Sequence, residues 1–286
     1  MITLSNGHAF EYMASSGALA FDGLGWPWEQ PLRWLGILDE TAFTTVIKTL
    51  TFQPRCGNLR WYNPLGCIRL IQDGTVNAVG LTNPGIEWWC RKIGPLINSR
   101  RAPVVASILG EPGELAAMAG MLNRFDLTAI EINASCPNIG SGLPKDAEKV
   151  FDGCRAVKSV SRFPIILKLS VAHDARNIVR EVEGLVEAIS INSVPWQIAF
   201  PYRRSPLAHL GGGGVSGKAA QSFTWKLVKE LAEMSKIPVI GPSVWGYEDI
   251  GKLRAIGAKA ISFGSVFLRY PWRPTFFVGK DKRRKK

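Results

Sequence analysis

The chain has 286 residues, of which 46% are hydrophobic, enough for a sizeable core and close to what one α/β barrel needs. Its five cysteines form no Cys-x-x-Cys pair and it has only three histidines, which argues against a disulfide framework or a zinc site. Lys and Arg outnumber Asp and Glu by 35 to 23, for a net charge of +12. Part of that surplus is the run at 280–286, expected to be a solvated end, so that 1–275 form the folded domain and 276–286 a disordered basic tail. No apolar run approaches the roughly 20 residues of a membrane helix, and the N-terminus lacks a basic-then-apolar leader. The expectation is a cytoplasmic protein that binds neither membrane nor nucleic acid. Its ten tryptophans, clustered at Trp26, Trp28, Trp34, Trp88 and Trp89, are read as packing or pocket lining.

Short apolar runs recur at 11–16, 45–49, 104–109, 129–133, 165–170, 188–192, 238–243 and 260–264. Helical spacing of apolar residues marks 113–123, 146–161, 218–236 and 247–255. Near-continuous apolar strands alternating with helices indicate a parallel sheet covered by helices. Eight such units in one domain predict a closed (β/α)8 TIM barrel. An open dinucleotide-binding sheet would want Gly-x-Gly-x-x-Gly after its first strand, where this chain has Ala14-Ser15-Ser16-Gly17.

Ser16, Lys48, Asn133, Lys168, Asn192 and Gly264 each fall at the C-terminal end of a different predicted strand. Active sites of these barrels are assembled on that rim. A lysine in a core strand is rarely tolerated unless paired. Neither Lys48 nor Lys168 has an obvious carboxylate in its own strand, so an anionic ligand at the barrel mouth is expected to supply the partner.

The sharpest segment is Asn133-Ala134-Ser135-Cys136-Pro137-Asn138. A lone cysteine is more often a small buried hydrophobe than a catalyst. Here the thiol is bracketed by two asparagines on the functional rim. The segment resembles the Asn-x-Ser-Cys-Pro-Asn motif of class 1 dihydroorotate dehydrogenases, the soluble, FMN-dependent branch with a cysteine base. From Ala14 to Leu268 the likeness runs in family order: Ala14 to Gly17, Val46 to Thr49, Asn77 to Gly85, Leu167-Lys168-Leu169, Ile191-Asn192-Ser193, Gly213 to Lys218, and Gly264-Ser265.

The resemblance implies oxidation of dihydroorotate to orotate, with the proton going to Cys136 and the hydride to FMN, and Lys48 beside both. It implies substrate contacts from Lys48, Asn77, Gly80, Leu81, Asn133, Asn138, Asn192 and Ser193. FMN would be held by Ser16, Gly17, Lys48, Thr49, Asn133, Lys168, Ile191, Gly217, Ser243, Gly264 and Ser265. A homodimer and an electron-transfer partner protein are also implied, with fumarate, a nicotinamide or a quinone as final acceptor. Two other functions fit the same residues: oxidation of another dihydropyrimidine-like cyclic amide, and ligand binding without catalysis. One segment departs from the family pattern. Where the family has a Gly-Gly pair for the phosphate, this chain has Gly241-Pro242-Ser243-Val244-Trp245. Pro242 has no N–H to give and Val244 resists a positive φ, so the Ser243 hydroxyl and N–H are expected to substitute.

Overall fold

The computed structural model describes residues 1–60, 62–134 and 147–285. Its eight central strands are β1 (Tyr12–Ala14), β2 (Thr44–Val46), β3 (Val104–Ile108), β4 (Ala129–Asn133), β5 (Ile165–Leu169), β6 (Ala188–Ile191), β7 (Ile240–Gly241) and β8 (Ala260–Phe263). They pair in parallel in the order β6-β5-β4-β3-β2-β1-β8-β7. The ring closes where Ile189 of β6 bridges Val239 and its N–H donates to the Pro238 carbonyl over 3.0 Å. This is the (β/α)8 barrel expected. β7 is shorter than its apolar run because Pro238 and Pro242 flank it and neither can donate to a ladder.

Strand side chains alternate between the two faces of the sheet. One set, Met13, Val46, Val105, Ala129, Ile166, Ala188, Ile240 and Ala260, forms a single apolar cluster with one member from each strand. Ile2, Leu4 and Phe10 join it from the N-terminal hairpin Ile2–Thr3/Ala9–Phe10, which plugs the barrel. The alternate set, including Val104, Ile130, Leu167 and Ile261, packs under the outer helices. Those helices include Pro112–Leu122, Ala147–Val160, Ala175–Glu181, Gln221–Met234 and Asp249–Ala255. The predicted helix at 218–236 opens with a separate 3-10 turn, Lys218–Ala220. Among the described residues no helix is long and apolar enough to cross a membrane.

The glycine-rich segment ahead of the Gln221–Met234 helix holds a strand, Gly214–Gly217, inside a four-stranded antiparallel sheet with Val194–Pro195, Gly74–Asn77 and Ile68–Ile71. Its glycines permit close approach: a Cβ on Gly214 would fall 2.4 Å from Ser193 Oγ, and one on Gly213 would fall 2.5 Å from the Asn77 carbonyl.

The chain end is the helix Arg273–Arg284, not a disordered tail. Its basic residues concealed an apolar face, and Phe277 and Val278 are buried. Asp281 anchors it, accepting from the Tyr12 hydroxyl of β1 and, through both oxygens, from Arg254 at 2.6 and 3.0 Å.

Candidate active site

Two residues beyond the apolar layer, the same strand faces turn polar: Ser15, Lys48, Ser107, Glu131, Lys168, Ser190 and Ser262 follow Met13, Val46, Val105, Ala129, Ile166, Ala188 and Ala260. Glu131 is fully buried and accepts three hydrogen bonds. Lys168 Nζ donates to Oε1 at 3.0 Å, Ser107 Oγ to Oε1 at 2.9 Å and Ser190 Oγ to Oε2 at 3.0 Å. Lys168 therefore has its carboxylate inside the protein, on the neighbouring strand. The expectation that an anionic ligand must pair it is corrected for this lysine. Glu131 could have been found in the sequence, since it lies two residues before Asn133 and so on the same face of β4.

The network continues upward. Thr49 Oγ1 lies 2.9 Å from Ser107 Oγ, 3.0 Å from Ser16 Oγ and 3.0 Å from Asn133 Nδ2, which donates to it. Above this layer a cavity of about 550 Å3 opens at the C-terminal ends of the strands. Every described residue among those predicted for the site lines it: Ser16, Gly17, Lys48, Thr49, Asn77, Gly80, Leu81, Asn133, Lys168, Ile191, Asn192, Ser193, Gly217, Ser243, Gly264 and Ser265. Cys136 and Asn138 lie outside the described residues.

The antiparallel sheet forms one wall and brings Asn77 and Gly217 to the cleft, along with Thr75 and Ser216, which the sequence reading missed. After Gly80 (φ +67) the chain passes through Leu81, a buried residue held at φ +56. Such a conformation persists only where surroundings over-determine it. Asn83 does so here, donating to the Leu81 carbonyl at 2.7 Å and accepting from the Gly85 N–H at 2.9 Å.

At the divergent segment the left-handed residue is Ser243 (φ +65), while Val244 is buried in the core. Ser243 is clamped by the Gln221–Met234 helix: Gln221 Nε2 donates to its carbonyl at 3.0 Å, and its hydroxyl lies 3.1 Å from Thr224 Oγ1. Beyond Val244, the N–H groups of Trp245 and Gly246 both donate to Asp249 Oδ2 at 2.8 Å. A ligand phosphate would therefore compete with Asp249 for them, which leaves Ser243 as the polar side chain of this segment on the cleft.

Trp26, Trp28 and Glu29 also line the cleft. The two indoles stack at 5.2 Å, and the Trp26 ring N–H donates to the Gly17 carbonyl at 3.0 Å. Burial pushes the Glu29 carboxyl up to about 7, against one hydrogen bond from the Trp26 N–H. Trp34 is exposed on the surface.

The family model for dihydroorotate dehydrogenase matches residues 33–269. A Desulforudis audaxviator protein named dihydroorotate dehydrogenase B (NAD(+)), catalytic subunit, is 34% identical over 235 residues, 79% of this chain and 75% of its own. A putative dihydroorotate dehydrogenase A (fumarate) of Aeropyrum pernix is 32% identical over 231 residues, 78% and 74% of the two chains. The crystal structure of ligand-free dihydroorotate dehydrogenase from Eimeria tenella superposes with a TM-score of 0.73 at 16% identity, covering 97% of this chain and 84% of that one. At that identity the likeness speaks for the fold alone.

Proposed function

The chain belongs to the dihydroorotate dehydrogenase family, an oxidoreductase family, and from that premise we propose that it oxidises dihydroorotate to orotate with FMN as hydride acceptor and Cys136 as base. One observation carries the reading. Sixteen residues chosen from the sequence for this chemistry, scattered from Ser16 to Ser265, line a single cleft at the functional end of a barrel.

The donor set fits a flavin. Lys168 and Asn133 offer an ammonium and an amide for a heterocycle edge, and Ser243, Gly264 and Ser265 gather at another part of the same cleft to take a phosphate. Bound FMN would supply the hydride acceptor. The chain's own residues do the rest. Cys136, as thiolate, removes a poorly acidic proton next to a carbonyl. Lys48, half-buried on the cleft wall, stabilises the charge that develops as that proton leaves. Asn77, Asn133, Asn138, Asn192 and Ser193 hold the substrate's amides and carboxylate, and a site built from such groups rejects analogues lacking the matching ones. The names of the relatives support a nicotinamide route through a partner protein, with fumarate as the alternative acceptor. A cytoplasmic homodimer completes the reading.

A second reading, oxidation of a neutral dihydropyrimidine, draws on Glu29. Its buried side chain lies on the cleft wall, where, whenever ionised, it repels a substrate carboxylate but not a neutral ring. Titrating the flavin-loaded protein with orotate and with uracil, followed by the flavin absorption spectrum, separates the two. A shift with orotate supports the first reading, and a shift with uracil alone supports the second.

A further inference from the structure

Glu131 is a buried charge that the proposed chemistry does not use. It lies beneath the cleft, fully enclosed, and every atom that touches its carboxylate through a hydrogen bond in the polar layer is a donor. We propose that Glu131 is a positioning residue that sets both the charge and the hydrogen-bond direction of the cleft floor, acting through Lys168 and through Ser107, Thr49 and Asn133. This inference rests on the flavin reading above and extends it to a residue below the site.

Lys168 lines the cleft and its ammonium is 3.0 Å from Glu131. Whatever ring lies over Lys168 therefore senses a paired cation and not a full positive charge. Enclosure makes that compensation effective, because little water is present to screen it.

A hydroxyl has one proton to give and can accept two bonds. Ser107 gives its proton to Glu131 at 2.9 Å and Ser16 gives its own to the Ile47 carbonyl at 2.9 Å, so the Thr49 contacts with both, at 2.9 and 3.0 Å, share the one Thr49 proton. Thr49, its proton spent, can only accept from Asn133 Nδ2 at 3.0 Å. The relay runs one way, from the Asn133 amide to the Glu131 carboxylate, and so fixes which end of that amide faces Thr49. A glutamine at 131 could donate as well as accept, and the relay would lose its enforced sense. A residue that merely filled the barrel would carry neither consequence, since well-packed apolar groups replace buried ion pairs at little or no cost in stability.

The test uses the FMN-loaded protein, wild type against Glu131→Gln and Ser107→Ala, reading the reduction potential of the bound flavin and the FMN dissociation constant. Removing the anion from beneath the flavin should favour its reduced form about tenfold in Glu131→Gln, a rise of about 30 mV for a two-electron couple. Ser107→Ala keeps the ion pair and cuts the relay, so it should weaken FMN binding several-fold with a much smaller change in potential. A Glu131→Gln potential that stays at the wild-type value, or falls, overturns the charge role. If Glu131→Gln fails to fold, Ser107→Ala decides alone: FMN affinity equal to wild type overturns the proposal. Wild-type protein that takes up no FMN sinks the flavin reading itself, an outcome distinct from variants that bind FMN and behave like wild type.

Discussion

Lys168 lies opposite Asn133 in the parallel register of β4 and β5, yet its ammonium turns to Glu131, two residues earlier on β4, at 3.0 Å. The two cleft-facing side chains, Asn133 and Lys168, are thus tied to one buried carboxylate, Asn133 through Thr49 and Ser107 and Lys168 directly. Replacing Lys168 by methionine strands that carboxylate in the barrel. Breaking one side of a buried pair costs about 3–5 kcal/mol, and Lys168→Met should lose that much stability in urea denaturation. A loss under 1 kcal/mol would mean that Glu131 finds other compensation.

Cys136→Ser should lower turnover at neutral pH by about 10²–10⁴-fold while FMN stays bound, the usual range for removing an effective acid–base group. The pH optimum should also move upward, because a hydroxyl is a far weaker acid than a thiol. Rates of substrate-driven flavin reduction across pH measure both. An unchanged profile removes Cys136 from the base role.

Much of this site was legible in the sequence because the barrel imposes a rule. Polar residues at the ends of apolar strands converge on one rim, so Ser16, Lys48, Asn133, Lys168, Asn192 and Gly264 could be assembled without coordinates. Glu131 escaped because it sits inside an apolar run, and its role depends on a neighbouring strand. The antiparallel wall escaped for a related reason: its ladder pairs residues 74–77 with 214–217, a contact between distant segments that no local pattern encodes. The terminal helix was hidden by its charge. Six of its twelve residues are Arg, Lys or Asp, and only the spacing of Phe277, Val278 and Asp281 marks the face that docks.

That docking makes the fold acid-sensitive. Burial pushes the Asp281 carboxyl up, but hydrogen bonds from Arg254 and Tyr12 and the charges of Arg254 and Lys285 outweigh it and hold the group at about 2, below its ordinary 3.8. A depressed carboxyl contributes stability above its unfolded value and loses it as pH falls through the folded one. Asp281's share should therefore be complete above about pH 4 and disappear toward pH 2. Asp281→Asn should lose about 1–3 kcal/mol at neutral pH, in line with charge-assisted hydrogen bonds, and should flatten the stability curve over that acid window. Equal steepness in both proteins, measured by urea denaturation across pH, would assign the acid response to other groups.

Ser243 tests the divergent phosphate segment. With the Trp245 and Gly246 N–H groups committed to Asp249, the phosphate contact is expected to fall to the Ser243 hydroxyl. One charge-assisted hydrogen bond is worth about 1.5–3 kcal/mol, so Ser243→Ala should weaken FMN binding by roughly one to two decades. Flavin fluorescence gives the dissociation constants. Equal affinities would show that the serine's partner is Thr224 alone.

Flavin-dependent oxidation of dihydroorotate in this cleft is the activity proposed for the chain. The most direct measurement is anaerobic mixing of the FMN-loaded protein with dihydroorotate, recording the flavin's visible absorption and the orotate formed. The expected result is bleaching of the bound flavin with one orotate produced per flavin reduced, and no bleaching in Cys136→Ala at neutral pH. Flavin that stays oxidised in wild-type protein under saturating dihydroorotate would contradict it.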